Sequence, residues 1–321
     1  MKILIVGFGS IGFRHFQSLK KHFPTALFFV FDVTPIDLIK ERFVHGENIG
    51  EELFDNVEWM TSLEDSFGLT FDFILLTTIA TDRGQTLFEL SKLVSFDAML
   101  IEKPLTNTVT DLQYFNLIPC DEIYVNHHRR YQAIHRELQK MDLNINCIEF
   151  KSASLGLLCN FSHHIDFARM LQPSCGKIKE INLNFLTAFP ARREGMIEVD
   201  GHLGILFENG LRLNLNNMRD SPVGKQRICE ITTDEEVFVI NESAGILTKD
   251  DEIVFESKLL NQSDLTSKYL EDIGNGVCKL PTLSVCLDDH KVVLQNIEHE
   301  IQKYAAQVLG NPKNARQGWF T

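Results

Sequence analysis

The residues with the plainest chemical meaning are Gly7-Phe8-Gly9-Ser10-Ile11-Gly12 and, further along, Asp32. The glycines follow an apolar run at 2–6 and open a helix-compatible stretch at 13–21, and a second apolar run at 26–31 ends on Asp32. Glycines at this spacing between strand and helix, with an acid about 20 positions beyond the last, form a dinucleotide cradle. Gly7 permits the tight turn, Gly9 lets the backbone approach a pyrophosphate, and Gly12 lets the helix lie close to the sheet. Phe8, Ser10 and Ile11 supply the rest of the loop, whose first-turn amides face phosphate oxygens. Asp32 suits the ribose hydroxyls and repels a 2′-phosphate, and Val33, Thr34 and Pro35 offer no arginine for one. NAD(H) is therefore the expected cofactor, with NADP(H) as the alternative.

Three other groups carry chemistry. Glu102-Lys103-Pro104 ends the fifth apolar run, and doubly wound sheets hold ligands at the carboxyl ends of their strands. Arg129 and Arg130 have the donors to hold a substrate carboxylate or phosphate, although pairing with the chain's own acids explains them equally well. In Ser162-His163-His164-Ile165-Asp166 the adjacent histidines point to different helix faces and lack the i, i+4 spacing of a zinc helix, so no metal is expected. Asp288-Asp289-His290 begins a helix, where carboxylates favour the positive dipole end.

These residues need elements to hold them. Up to about residue 125 strand and helix patterns alternate: strands at 57–59, 71–76, 98–101 and 123–125, helices at 36–44, 81–95 and 111–117, and a further capped helix at 62–67 with Ser62 and Asp65 in capping positions. Strands about 25 residues apart with helices between them imply a parallel, doubly wound sheet. The rhythm then changes. A strand at 145–152 and a helix at 159–171 precede strands at 181–188, 196–199, 203–207, 211–215, 228–232 and 237–240, separated by turns as in antiparallel hairpins. Helices at 263–275 and 284–308 close the chain, and the tail beyond Gly310 reads as loosely held. The expectation is an α/β chain: a Rossmann-type domain at 1–125, then an α+β domain at 126–321 with a large, mostly antiparallel open sheet.

The 321 residues exceed the usual single core, which agrees with two domains. A net charge of −13 argues against nucleic acid or an anionic membrane as partner. No apolar stretch approaches the roughly 20 residues of a membrane span, and the apolar start lacks a cleavage site. Seven scattered cysteines without a CxxC pair fit reduced thiols and a cytoplasmic address. The alternation of Leu211, Leu213 and Leu215 leaves one sheet face open, and a homodimer or homotetramer through that sheet is expected.

The ordered set of Gly7-x-Gly9-x-x-Gly12, Glu102-Lys103-Pro104, Val125-Asn126-His127-His128-Arg129-Arg130-Tyr131, Ser162-His163-His164-Ile165-Asp166 and a hairpin at 203–215 resembles the Gfo/Idh/MocA family. The resemblance runs from residue 1 to about 309. It implies NAD(P)-dependent hydride transfer at a hydroxyl carbon of a sugar, polyol or sugar derivative. Lys103 matches the lysine that hydrogen-bonds the reacting oxygen, and His163 matches an acid–base histidine. Asn160 and His164 fall among the substrate-facing positions, and Thr77 and Thr78 in the loop that meets the cofactor. Two departures stand out. An aspartate usual three or four residues before the histidine is replaced by Asn160 and Cys159, and asparagine cannot serve as a base. The usual Thr-Pro-x-x-x-His reads Thr78-Ile79-Ala80-Thr81-Asp82-Arg83. A non-catalytic sensor that binds NAD(P) and a sugar is the alternative function.

Overall fold

The computed structural model describes residues 1–46, 49–119, 121–309 and 320; Cys120 and most of the tail beyond Gly310 lie outside them. The chain divides into two compact units. The first takes in Met1–Leu105, Asp111–Asn126 and Asn261–Ser284, and the second Thr106–Thr110, His127–Leu260 and the chain from Val285 onward. Residues 261–284 thus return to the first unit, and residues 106–110 belong to the second.

In chain order the first unit begins β1 (Lys2–Val6), α1 (Ser10–His22), β2 (Leu27–Phe31), α2 (Ile36–Lys40), β3 (Val57–Met60), β4 (Thr70–Leu76), α3 (Arg83–Leu93), β5 (Ser95–Ile101), α4 (Val109–Phe115) and β6 (Ile123–Val125). The six strands are all parallel, in the order β3-β2-β1-β4-β5-β6. Central strands covered on both faces must be apolar throughout, and Ile3 to Val6 and Phe73 to Leu76 are fully buried. On α1, Phe13, Phe16 and Leu19 fall at helical spacing on the buried side, while Lys20, Lys21 and His22 complement the dipole in the last turn. The helix expected at 36–44 is α2 followed by a single π turn, Glu41–His45. The capping box of Ser62 and Asp65 starts a short 3₁₀ turn.

The second unit contains α5 (Ala133–Lys140), β7 (Cys147–Ser152), α6 (Leu157–Leu171), β8 (Ile178–Pro190), β9 (Ile197–Phe207), β10 (Arg212–Asn217), β11 (Ile228–Thr232), β12 (Val237–Asn241), β13 (Ile246–Lys249) and β14 (Glu252–Glu256). After it come α7 (Gln262–Gly274), in the first unit, and α8 (Leu283–Leu309). The eight strands run β14-β13-β12-β11-β7-β10-β9-β8, antiparallel except for β7 beside β10. The two strands expected at 196–199 and 203–207 are one. Gly201 lies inside β9 with φ +141°, where a Cβ would stand 2.3 Å from the Asn184 carbonyl oxygen, opposite a bulge in β8.

Leu211, Leu213 and Leu215 are buried to within 1% on the side where α6 packs over β9 and β10. The opposite face is polar rather than apolar. There His202 Nδ1 meets Asn216 Oδ1 at 2.8 Å, Asn216 donates to Glu149 at 2.7 Å, and Lys151 pairs with Glu149 at 2.7 Å. Among the described residues no helix is long and apolar enough to cross a membrane.

Candidate functional site

The glycine loop has the form its sequence implies. Gly7 sits at φ +91°, and a Cβ there would come within 2.7 Å of the Thr78 amide nitrogen. A Cβ on Gly12 would lie 2.2 Å from the Gly7 carbonyl oxygen, so this glycine lets α1 start hard against the turn. Gly9 has nothing within 4 Å of its Cβ position, and no side chain caps the helix it precedes. Thr77 donates its amide to Val6 at 2.8 Å, and the buried Thr78 hydroxyl has no hydrogen-bond partner among the described residues. Open space and uncapped helix amides at the loop after β1, with an orphaned hydroxyl on the neighbouring loop after β4, fit a dinucleotide.

The other loop residues divide by role. Phe8 is a core residue, packed edge-on against Phe13, Phe16 and Trp59, and its amide donates to Asp32 Oδ2 at 2.5 Å. Asp32 Oδ1 accepts from the Thr34 amide at 2.7 Å, which holds the carboxylate at the end of β2. Ile11 is exposed. Ser10 Oγ accepts from Arg42 at 2.8 Å. Arg42 is a cation at the loop that a reading confined to Val33, Thr34 and Pro35 passes over, because it arrives from the π turn after α2.

At the carboxyl end of β5, Glu102 is an anchor rather than a surface acid. Its Oε1 accepts from Asn126 and Gln262 and lies 2.9 Å from His15 Nε2, while His15 Nδ1 meets Thr266 at 2.7 Å. Burial alone would raise its pKa, but the bond and charge of His15, the charge of Lys103 and the Asn126 bond hold it at about 2. The next peptide, Lys103–Pro104, is cis. Arg83, buried at the start of α3, donates to the carbonyls of Thr78, Glu102 and Pro104. Asp111 in turn accepts the Gly84 and Gln85 amides at 2.8 and 2.9 Å, capping α3 from α4. Arg83 stands where the resemblance expects histidine; that position was legible, but its bracing role was not. It pins the backbone on both sides of Lys103, which is itself half-buried.

In the second unit His163 Nδ1 lies 3.0 Å from His127 Nδ1, and the His128 ring meets His163 edge-on at 4.6 Å. His164, one residue on, turns to the sheet and lies against Phe150 with centroids 4.2 Å apart, so the structure places it in the core. Asn160 donates to the Leu155 carbonyl at 2.7 Å. Arg129 is buried, with Nε 2.6 Å from Glu242 Oε1 and Nη2 3.1 Å from Oε2, and His135 stands 3.1 Å from the same carboxylate. Arg130 pairs with Asp166 at 2.8 Å. Both arginines therefore serve internal acids. Burial would raise the Glu242 pKa, but Arg129 and His135 hold it well below the usual carboxylate range.

The residues before His163 have a partner that sequence spacing could not reveal. Glu198 on β9 accepts the Leu158 and Cys159 amides at 2.7 and 3.3 Å, placing a carboxyl at the N-terminus of α6. Its burial raises its pKa, opposed by these backbone bonds.

No protein-family model and no curated protein matches the sequence. Solved structures do match over nearly the whole chain. A Gfo/Idh/MocA family oxidoreductase from Vibrio cholerae is similar at 13% identity over 94% of this chain and 99% of its own, with a TM-score of 0.60. The scyllo-inositol dehydrogenase of Lactobacillus casei, solved with NAD(H) and scyllo-inositol, is similar at 16% identity over 92% and 96%, with a TM-score of 0.59. A super-repressor mutant of Gal80p from Saccharomyces cerevisiae is similar at 12% identity over 96% of each chain, with a TM-score of 0.63. The chain has the fold of the Gfo/Idh/MocA oxidoreductases. That fold serves both dehydrogenases and a repressor, so function must be argued from the site.

Proposed function

We propose that this chain is a nicotinamide-dependent oxidoreductase acting on a hydroxyl carbon of a sugar, polyol or sugar derivative. The observation that carries the reading is the continuity of one sheet edge. Gly7 abuts Thr78, and Arg83 ties Thr78 to the backbone on either side of Lys103, so the cradle and the lysine segment form one rigid ledge. Held by the Gly7–Gly12 loop, Asp32, Thr77 and Thr78, the cofactor would supply the carbon that accepts or returns hydride. Lys103 then hydrogen-bonds the reacting oxygen, His163 takes or returns its proton, and Asn160 reads a substrate hydroxyl. Arg129, Arg130 and His164, committed elsewhere, are left out of substrate binding. The protein acts in the cytoplasm as a homo-oligomer.

The regulator remains the second reading, favoured by Cys159 and Asn160 where an acid would stand and by the likeness to Gal80p. One experiment separates the two: a panel of sugars, polyols, sugar acids and nucleotide sugars with oxidised and reduced NAD and NADP, followed by nicotinamide absorbance. Turnover with at least one substrate is expected, and Lys103→Met should lower kcat by about 10²–10⁴ with NADH affinity unchanged. Saturable cofactor binding without turnover on any member would favour the regulator.

A further inference from the structure

His127 has no role in the reaction as drawn above, yet it is the residue that holds His163. Both rings are buried, at 2% and 5% exposure, and they meet through Nδ1 and Nδ1 at 3.0 Å with ring planes 74° apart. We propose that His127 and His163 are a proton-sharing pair, in which His127 positions His163 and takes up the proton that His163 receives from the substrate hydroxyl. The inference rests on His163 being the acid–base group of the proposed function.

The chemistry follows from the atoms in contact. A neutral imidazole carries one N–H, so a bond between two Nδ1 atoms requires one ring to donate and the other to accept. With His163 as donor, its Nε2 bears no proton and is a base. With His163 as acceptor, its Nε2 bears the proton and is an acid. A proton moving along the Nδ1–Nδ1 line, coupled to the gain of one at His163 Nε2 and the release of one from His127 Nε2, converts the base needed for oxidation into the acid needed for reduction. In the oxidative direction the substrate O–H breaks and its proton bonds to His163 Nε2. The Nδ1 proton of His163 passes to His127 Nδ1, and His127 releases its Nε2 proton. Each ring ends neutral with one N–H, and one proton has left the substrate.

His127 also lines a groove between α6 and α8, with Asp166, Arg169, Cys286, Asp289 and His290, where the relay would release its proton. Its carboxylates are balanced: Asp166 pairs with Arg130 at 2.8 Å and Asp289 with Arg169 at 2.7 Å. From the turn that carries His127, the half-buried His128 ring faces His163. The residues one turn before His163 on α6, Cys159 and Asn160, are not acids, so the ring partner comes from residue 127 instead.

The direct test uses wild-type protein with 15N-labelled histidine. A scalar 15N–15N coupling across the Nδ1–Nδ1 bond is expected, with the two rings in opposite tautomers; both rings in the Nε2–H form without coupling would overturn the pair. The relay is tested with His127→Asn, which keeps one hydrogen bond but cannot accept a proton, and with His127→Phe. Both should bind NADH as wild type does. His127→Asn should lower kcat about 10–100-fold with KM little changed and shift the pH profile of kcat, and His127→Phe should lower it further. Unchanged kcat and pH profile in both variants would overturn the relay. His163→Asn keeps the two ideas apart: full turnover there defeats the assigned role of His163, whereas the coupling measurement judges the pair itself.

Discussion

Asp32 gives both carboxylate oxygens to amides, Phe8 on one side and Thr34 on the other, which fixes its charge at the end of β2. A fixed carboxylate there accepts ribose hydroxyls and repels a 2′-phosphate. Arg42 complicates the choice, since it brings a positive charge to Ser10. Ser10 is the first residue of α1, so that charge stands at the pyrophosphate end of the cradle, where the two cofactors are alike. NADH should therefore bind at least about tenfold more tightly than NADPH, roughly 1.4 kcal/mol. Arg42→Met should weaken both by a similar factor. Calorimetric titration measures both, and equal or tighter binding of NADPH would contradict the assignment.

Among elements, the end of β5 is the most tightly tied. Glu102 joins it to α1 through His15, to the residue after β6 through Asn126, and to the start of α7 through Gln262. Its folded pKa of about 2 lies below the ordinary carboxylate value. A depressed pKa stabilises the fold above the unfolded value, and that contribution is lost as pH falls from about 4.5 towards 2. The loss is on the order of 3 kcal/mol for this buried group. Glu242 adds a loss of the same sign. Urea midpoints measured down to pH 3 should fall steeply for wild type and less steeply for Glu102→Gln, which has no charge to lose. Identical slopes would mean that Glu102 is not held ionised.

For the whole molecule the open question is what meets the polar face of the eight-stranded sheet. On one face α6 packs over β9 and β10, while the other carries half-buried His202, Asn214, Asn216, Glu149 and Lys151 and exposed Asn182 and Asn184. Leu186, Val237 and Ile253 are exposed on strands of the same sheet. A wide sheet face with scattered apolar groups and prearranged amides suits a second copy of the chain, with direct hydrogen bonds where an apolar interface would have side-chain packing. Light scattering at micromolar concentration should give a dimer or tetramer mass. A monomer mass would leave that face exposed to solvent and count against the assembly.

The local signals in the sequence were sufficient for whatever depends on short-range constraint. Glycine spacing required the tight turn at Gly7 and the close helix at Gly12, because only a missing Cβ fits there. Apolar runs every 25 residues required buried parallel strands, since a strand covered on both faces has no polar side. The capping box at Ser62 and Asp65 was legible for the same reason. Long-range pairing was not. Sequence distance hides that Arg83 reaches past Lys103 on both sides, that Glu102 is shared by His15, Asn126 and Gln262, and that Glu198 caps α6 from 40 residues away. Arg129 and Arg130 read alike as substrate or structural groups, and only the fold pairs them with Glu242 and Asp166. The leucines at 211, 213 and 215 read as a face left open for a second copy, and only tertiary packing laid α6 over that side. The His127–His163 contact joins residues 36 apart, and no periodicity encodes a hydrogen bond between two rings that the folded chain alone brings to 3.0 Å.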